Sequence, residues 1–182
     1  MKVLAVVLLM VVLSFGANLA MALTDDATAA VTCTVATIVE WDNLAVNPGN
    51  FETIAIAPIT AQGSTPSASK MLVLYTNGDL DITADDANEA QLIDRGASED
   101  TLVTEYKLAY DGDGTSATGG DDVAVWTDYT TFLKGGAASD VAHISLDGAV
   151  NVTLSARASN DPENVADAGN YTATQTLTAT FP

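Results

Sequence analysis

The sequence predicts an all-β fold, an antiparallel sandwich, on three observations. The last run of the chain alternates strictly: Thr172, Thr174, Thr176, Thr178 and Thr180 fall on one set of positions, and Tyr171, Ala173, Leu177, Ala179 and Phe181 on the other, with Gln175 the one polar exception. Successive strand side chains point to opposite faces, so this is a ribbon with a threonine face and an apolar face, and β-branched threonine favours a pleated surface. Apolar runs of strand length then recur along the whole chain, about eight to ten of them, each bounded by turn residues. At most one stretch suits a helix. Short strands at such spacing specify a sandwich or barrel.

Residues 1–22 read as a secretory signal: Lys2, an apolar run from Val3 to Phe15, then the small-residue site Ala20-Met21-Ala22. That run falls short of the roughly 20 apolar residues a membrane span requires, and no later segment approaches them. The expectation is a secreted chain, extracellular or at the cell surface, without a membrane span. Residues 23–32 form a small-residue extension, and residues 33–182 the domain. Val31, Cys33 and Val35 alternate, slipping one place at Ile38-Val39 before Trp41, as a bulge would produce. Cys33 on such a strand is expected to be a small buried hydrophobe. With no second cysteine, no intramolecular disulfide exists.

After the turn cluster Asn47-Pro48-Gly49-Asn50, a second strand is expected around Ile54 and Ile56, closed by Pro58, and residues 62–69 are a loop. Met71-Leu72-Val73-Leu74-Tyr75 is continuously apolar, the pattern of a strand covered on both faces or central in a sheet. Asn77-Gly78 predicts a hairpin into Leu80 and Ile82. Residues 84–93 read as a short helix or a loop. Leu102, Thr104, Tyr106, Leu108 and Tyr110 share one strand face, and residues 123–133 resume with Val123, Val125, Trp126, Tyr129 and Phe132. A strand from Val141 is expected to turn at Asp147-Gly148 into the run Val150, Val152, Leu154, Ala156 and Ala158, before Asp161-Pro162 leads to the final ribbon.

The chain carries 24 acidic against 6 basic residues, net −18, and loss of Lys2 with the signal takes this to −19. Such a surface repels nucleic acid and anionic membrane. It promotes solubility outside the cell, or it binds divalent cations. The single histidine, His143, alternates outward between Ala142 and Ile144, and no Gly-x-Ser-x-Gly elbow accompanies it, so no hydrolytic triad is expected. One histidine and one cysteine cannot build an N/S zinc site within the chain. Carboxylate pairs are too abundant to mark a glycosidase. The reading is therefore not an enzyme.

Asp111, Asp113, Thr115, Asp121 and Asp122 place oxygens through a glycine-rich loop in a pattern that suits calcium. The pattern departs from an EF-hand, because Ser116 replaces the glycine at loop position six and Asp122 the bidentate glutamate, so a solvated acidic loop is the other reading. No other cofactor is expected. Asn151 and Asn170 head N-x-[ST] acceptors for glycosylation.

Gly169, fourteen places from the C-terminus, together with penultimate Phe181 and the alternation between them, resembles the end of chaperone–usher pilus subunits and of the related spore coat protein U-like secreted proteins. Cys33 followed by Trp41 is similar to that family's first strand. The family usually has tyrosine at the position of Phe181 and pairs its cysteine with a second one. The resemblance implies an immunoglobulin-like sandwich left incomplete and filled by a neighbour's N-terminal strand, and hence a secreted filament subunit. A groove lined by Gly169, Tyr171, Ala173, Leu177, Ala179 and Phe181 would receive Leu23, Ala27, Ala29 and Val31. The implied partners are other copies in a head-to-tail homopolymer, a periplasmic chaperone and an outer-membrane usher. A flexible end, or the first strand of a complete sandwich, is the other reading of residues 23–32. The other functional reading is a monomeric carbohydrate-binding or calcium-dependent adhesion module, with Trp41, Trp126 and Tyr129 as sugar platforms.

Overall fold

The computed structural model describes residues 27–42, 49–85, 88–96, 99–111, 121–134, 139–143 and 148–182. The expected signal, Leu23, Asp113 and Thr115 lie outside them. Among the described residues the elements in chain order are β1 (Val39–Trp41), β2 (Ser67–Thr76), β3 (Leu80–Ala84), a 3₁₀ turn (Asn88–Ala90), β4 (Ile93–Asp94), β5 (Val103–Asp111), β6 (Asp121–Asp128), β7 (Ser139–Val141), β8 (Ala149–Ser159), β9 (Tyr171–Thr172) and β10 (Leu177–Thr180). No helix among them is long and apolar enough to cross a membrane. Residues Ala36–Pro182 form one compact unit.

The strands make an all-β sandwich, every pair antiparallel. One sheet runs β1-β2-β8-β5-β6, a second β10-β3-β7, and a two-stranded ribbon joins β4 and β9. The first four strands of the large sheet follow the A-B-E-D order of an immunoglobulin-type sandwich, with β6 added, while β3 and β10 take the C and F places of the facing sheet. Among the described residues no strand stands outside β10, where the G strand of a complete sandwich would lie.

The core lies between these sheets. β8 sits centrally and turns Val150, Val152, Leu154, Ala156 and Ala158 inward, all buried. The register sets Leu74 of β2 opposite Val150 and Leu108 of β5 opposite Leu154. Leu80 and Ile82 of β3 and Val141 of β7 close the core from the other sheet, and Phe132, in the turn after β6, is fully buried among them. Each such side chain contributes about 1.5–3 kcal/mol by leaving water. The shared face predicted for Leu102, Thr104, Tyr106 and Leu108 is buried as expected.

Several sequence expectations are corrected. Asn77-Gly78 is not a hairpin: β2 and β3 belong to different sheets. A two-residue type I′ turn needs positive φ at both positions, and neither residue has it. Instead, Asn77 Oδ1 accepts from Ile38 N–H at 2.9 Å and Nδ2 donates to Ala36 O at 2.8 Å. The side chain thus continues the β1–β2 ladder one residue past Val39 and Thr76 while the main chain crosses between sheets. β2 lies inside its sheet, between β1 and β8, one of the two settings expected of its apolar run; one face is buried at Leu72, Leu74 and Thr76, while the other is half-buried at Val73 and Tyr75 and exposed at Met71. β7 pairs with β3, and β8 with β2 and β5, while residues 144–147, where the turn into β8 was expected, lie outside the described residues. Residues 31–35 form no strand, and Cys33 is an exposed thiol rather than a buried hydrophobe. Alternation without a partner to take the backbone hydrogen bonds does not make a strand. The final ribbon is interrupted: β9 pairs with β4 and β10 with β3, although alternate burial persists from Tyr171 to Phe181 across the break.

Gly148 has φ +79°, its carbonyl accepts from Thr76 N–H at 2.9 Å, and a Cβ there would lie 2.8 Å from Thr76 O. Gly148→Ala is expected to cost about 2 kcal/mol or more, from left-handed strain plus a collision with backbone. A urea melt with an unchanged midpoint would refute this.

Candidate functional site: an apolar cleft between two extended runs

Residues 51–60 are extended yet join no sheet, and among the described residues their backbone makes no hydrogen bond. Phe51, Ile54, Ile56 and Ile59 are half-buried between more exposed neighbours. This is the segment expected as a second strand; it has the period of one but no ladder. Across from it runs the chain from Tyr171 to Leu177. Thr174 N–H donates to Glu89 O at 2.6 Å and Asp85 N–H donates to Thr176 O at 2.9 Å, tying that run to the chain around the 3₁₀ turn.

Between the two runs lies a cleft of about 480 Å³, floored by Leu72 of β2, Leu154 and Ala156 of β8, and Tyr106 of β5. An adjoining cleft of about 770 Å³ continues it past Ala57 and Ile59 on one bank and Val165 to Asn170 on the other. Trp41 closes the first cleft at one end, its ring 6.0 Å from that of Phe51. The floor is rigidly built. Tyr106 donates its hydroxyl to Ala90 O at 2.7 Å, and burial pushes its pKa up to about 12. Leu92 N–H donates to Thr104 Oγ1 at 3.0 Å. At the rim, Lys70 Nζ donates to Glu52 Oε2 at 2.6 Å, which ties the free run to β2 and holds the Glu52 carboxyl below its ordinary pKa.

Of the groove residues expected from sequence, Tyr171, Ala173 and Leu177 line the first cleft, whereas Ala179 and Phe181 pack on the core farther along. Gly169 lines the second cleft. A Cβ at Gly169 would lie 2.8 Å from an Asp94 carboxylate oxygen, so a larger residue there would push the Asp94 side chain aside. Tyr171 donates to Asp167 O at 2.7 Å, and burial, then Asp100, Asp94 and Asp167, raise its pKa. The opposite bank, Ile54 and Ile56, carried a strand signal in the sequence but no sign that it would face the C-terminal ribbon.

The remaining candidates lie apart. Ala27, Ala29 and Val31 are exposed. Asp111 ends β5, and Asp121 and Asp122 begin β6 opposite Tyr110 and Ala109, so part of the expected acidic loop is a strand pair. Among the described residues no group of three His, Cys, Asp or Glu side chains could hold a metal ion. Asn151 is 7% exposed in the central strand, covered in the folded chain, while Asn170 is exposed. His143 is half-buried rather than outward, because β7 ends at Val141 and the alternation stops there; its N–H donates to Asp79 Oδ1 at 2.9 Å. The Arg157 guanidinium lies 4.8 Å over Trp126 and is gripped by both Glu105 oxygens, at 2.6 and 2.9 Å, so that ring face is occupied. Tyr129 donates to Gln91 Oε1 at 3.1 Å.

No family model matches the chain, and no curated protein matches it. Among solved structures it is similar to a chain described under "Chaperone-tip adhesin complex is vital for synergistic activation of CFA/I fimbriae biogenesis", at 15% identity and a TM-score of 0.38. The match covers 78% of this chain and 41% of that one.

Proposed function

We propose that the chain is an exported, non-enzymatic structural subunit that polymerises by β-strand addition, residues 23–32 of one copy lying in the cleft of the next. The observation that carries this reading is the pair of extended runs, 51–60 and 171–177, facing each other over an apolar floor with, among the described residues, no strand between them. Backbone donors and acceptors beside a hydrophobic slot are what an added strand satisfies: its main chain pairs with the banks and its alternate side chains fill the floor. The resemblance of the C-terminal ribbon to pilus subunits, whose incomplete sandwich takes a neighbour's N-terminal strand, agrees with that geometry. Ten extended residues span about 33 Å, enough to run the length of one bank.

A contact in which one end of each copy enters the next does not close on itself, and it builds a fibre at the cell surface or outside it. In that family a periplasmic chaperone and an outer-membrane usher deliver the subunits, and the same partners follow for this chain. The strong negative charge keeps unassembled copies apart and soluble. Deleting residues 23–30 from the chain that begins at Leu23 is expected to leave a soluble monomer by sedimentation and no filaments by negative-stain microscopy. Filaments from the truncated chain would overturn the mechanism.

A further inference from the structure

Asn77 is the one asparagine of the chain that is followed by glycine. Such a pair is prone to spontaneous deamidation, because glycine has no side chain to keep its nitrogen away from the neighbouring amide carbon. Asn77 is exposed, and it stands where the main chain crosses from β2 in one sheet to β3 in the other. Hydrogen bonds hold both groups that would react. The amide carbon Cγ lies between Oδ1, which accepts from Ile38 N–H at 2.9 Å, and Nδ2, which donates to Ala36 O at 2.8 Å. The Gly78 N–H donates to Thr76 Oγ1 at 3.2 Å, and that hydroxyl donates to Gly78 O at 2.8 Å. Thr76 is buried, so this anchor is fixed within the sheet.

Independently of assembly, we infer that Asn77 is a deamidation site guarded by the segment Ala36–Ile38, and that its conversion releases that segment from the sandwich in one direction only. The reaction needs water and hydroxide alone. Gly78 N gives its proton to hydroxide and attacks Asn77 Cγ; the N–Cγ bond forms, the Cγ–Nδ2 bond breaks, and the departing nitrogen takes a proton from water and leaves as ammonia. Water then opens the cyclic imide at either carbonyl, giving aspartate or isoaspartate, and nothing is oxidised or reduced. While the amide and the Gly78 N–H are both engaged, neither is free to turn into the attacking geometry. Reaction therefore waits on local opening. β1 lies at the edge of its sheet and pairs with β2 over three residues, the kind of element that opens well below the free energy of global unfolding. The product does not close again in the same way. A carboxylate accepts hydrogen bonds and donates none, so Ile38 N–H keeps a partner while Ala36 O meets a negative oxygen in place of the amide nitrogen. Isoaspartate also adds one main-chain atom at the crossover, which displaces the group further.

The test keeps three samples in mildly alkaline buffer: the chain beginning at Leu23, its Ile38→Pro variant, and a peptide covering residues 73–82. Conversion at Asn77 is followed by peptide-mapping mass spectrometry, and circular dichroism checks that the variant folds. Ile38 is exposed, so proline there removes the N–H that Oδ1 accepts without touching the core. The peptide has no guard. The natural chain is expected to convert about thirtyfold more slowly than the peptide, each of the two amide hydrogen bonds being worth roughly fivefold, and Ile38→Pro to convert about fivefold faster than the natural chain. A natural chain that converts at the rate of the peptide, or a folded Ile38→Pro chain no faster than the natural one, would overturn the guard. Asn77→Asp, which carries the product side chain from the start, is expected to raise hydrogen exchange at residues 36–42 about fivefold and leave β8 unchanged. Exchange at residues 36–42 equal to that of the natural chain would overturn the release, whether or not the proline variant folds.

Discussion

On the assembly proposed above, Ile56→Asp is expected to raise the critical concentration for filaments by about a hundredfold or more while the chain remains folded. Ile56 is half-buried on the free bank and lines both clefts. In the monomer a carboxylate there still reaches water, so the loss of stability stays modest, about 1–2 kcal/mol. Once an added strand covers the bank, the same carboxylate would be sealed against apolar side chains without a partner. That costs several kcal/mol, and each 1.4 kcal/mol is a factor of ten in affinity. Sedimentation against concentration measures the effect, and Thr178→Asp, on the exposed side of β10, is the control that should assemble normally. Filaments of Ile56→Asp at the natural concentration would mean that the cleft is not where copies meet.

Phe132→Ala is expected to destabilise the monomer by about 3–5 kcal/mol, which for a domain of this size lowers Tm by about 10 °C. Phe132 is fully buried, and its ring lies 5.6 Å from that of Tyr106, whose hydroxyl in turn holds the 3₁₀ turn through Ala90. Truncation opens a void under the cleft floor that surrounding strands cannot collapse to fill. Calorimetry reads the shift directly. A melting temperature within a degree or two of the natural chain would show that the ring is not a core element.

The strand period was legible in the sequence wherever one face is buried. Tyr106 and Leu108 on β5, Val150 through Ala158 on β8, and the threonine ribbon all sit on the faces that alternation assigned them. Pairing was not legible, because period says which face is buried and not which neighbour supplies the hydrogen bonds. Asn77-Gly78 has the composition of a hairpin turn, yet the competing demand for a donor and an acceptor at Ala36 and Ile38 decides its conformation. For the same reason the site was half legible. The ribbon bearing Tyr171, Ala173 and Leu177 could be read from one segment, whereas the bank formed by Ile54 and Ile56 depends on a segment more than 100 residues earlier coming to face it.

The amide of Asn77 also determines how the molecule would bear tension. A pull on the N-terminal segment reaches the compact unit at Ala36, where the first fastenings are the two Asn77 hydrogen bonds, followed by the three residue pairs of β1 on β2. A fibre of such units would stretch first at this short lap joint, while the sandwich behind it stayed whole.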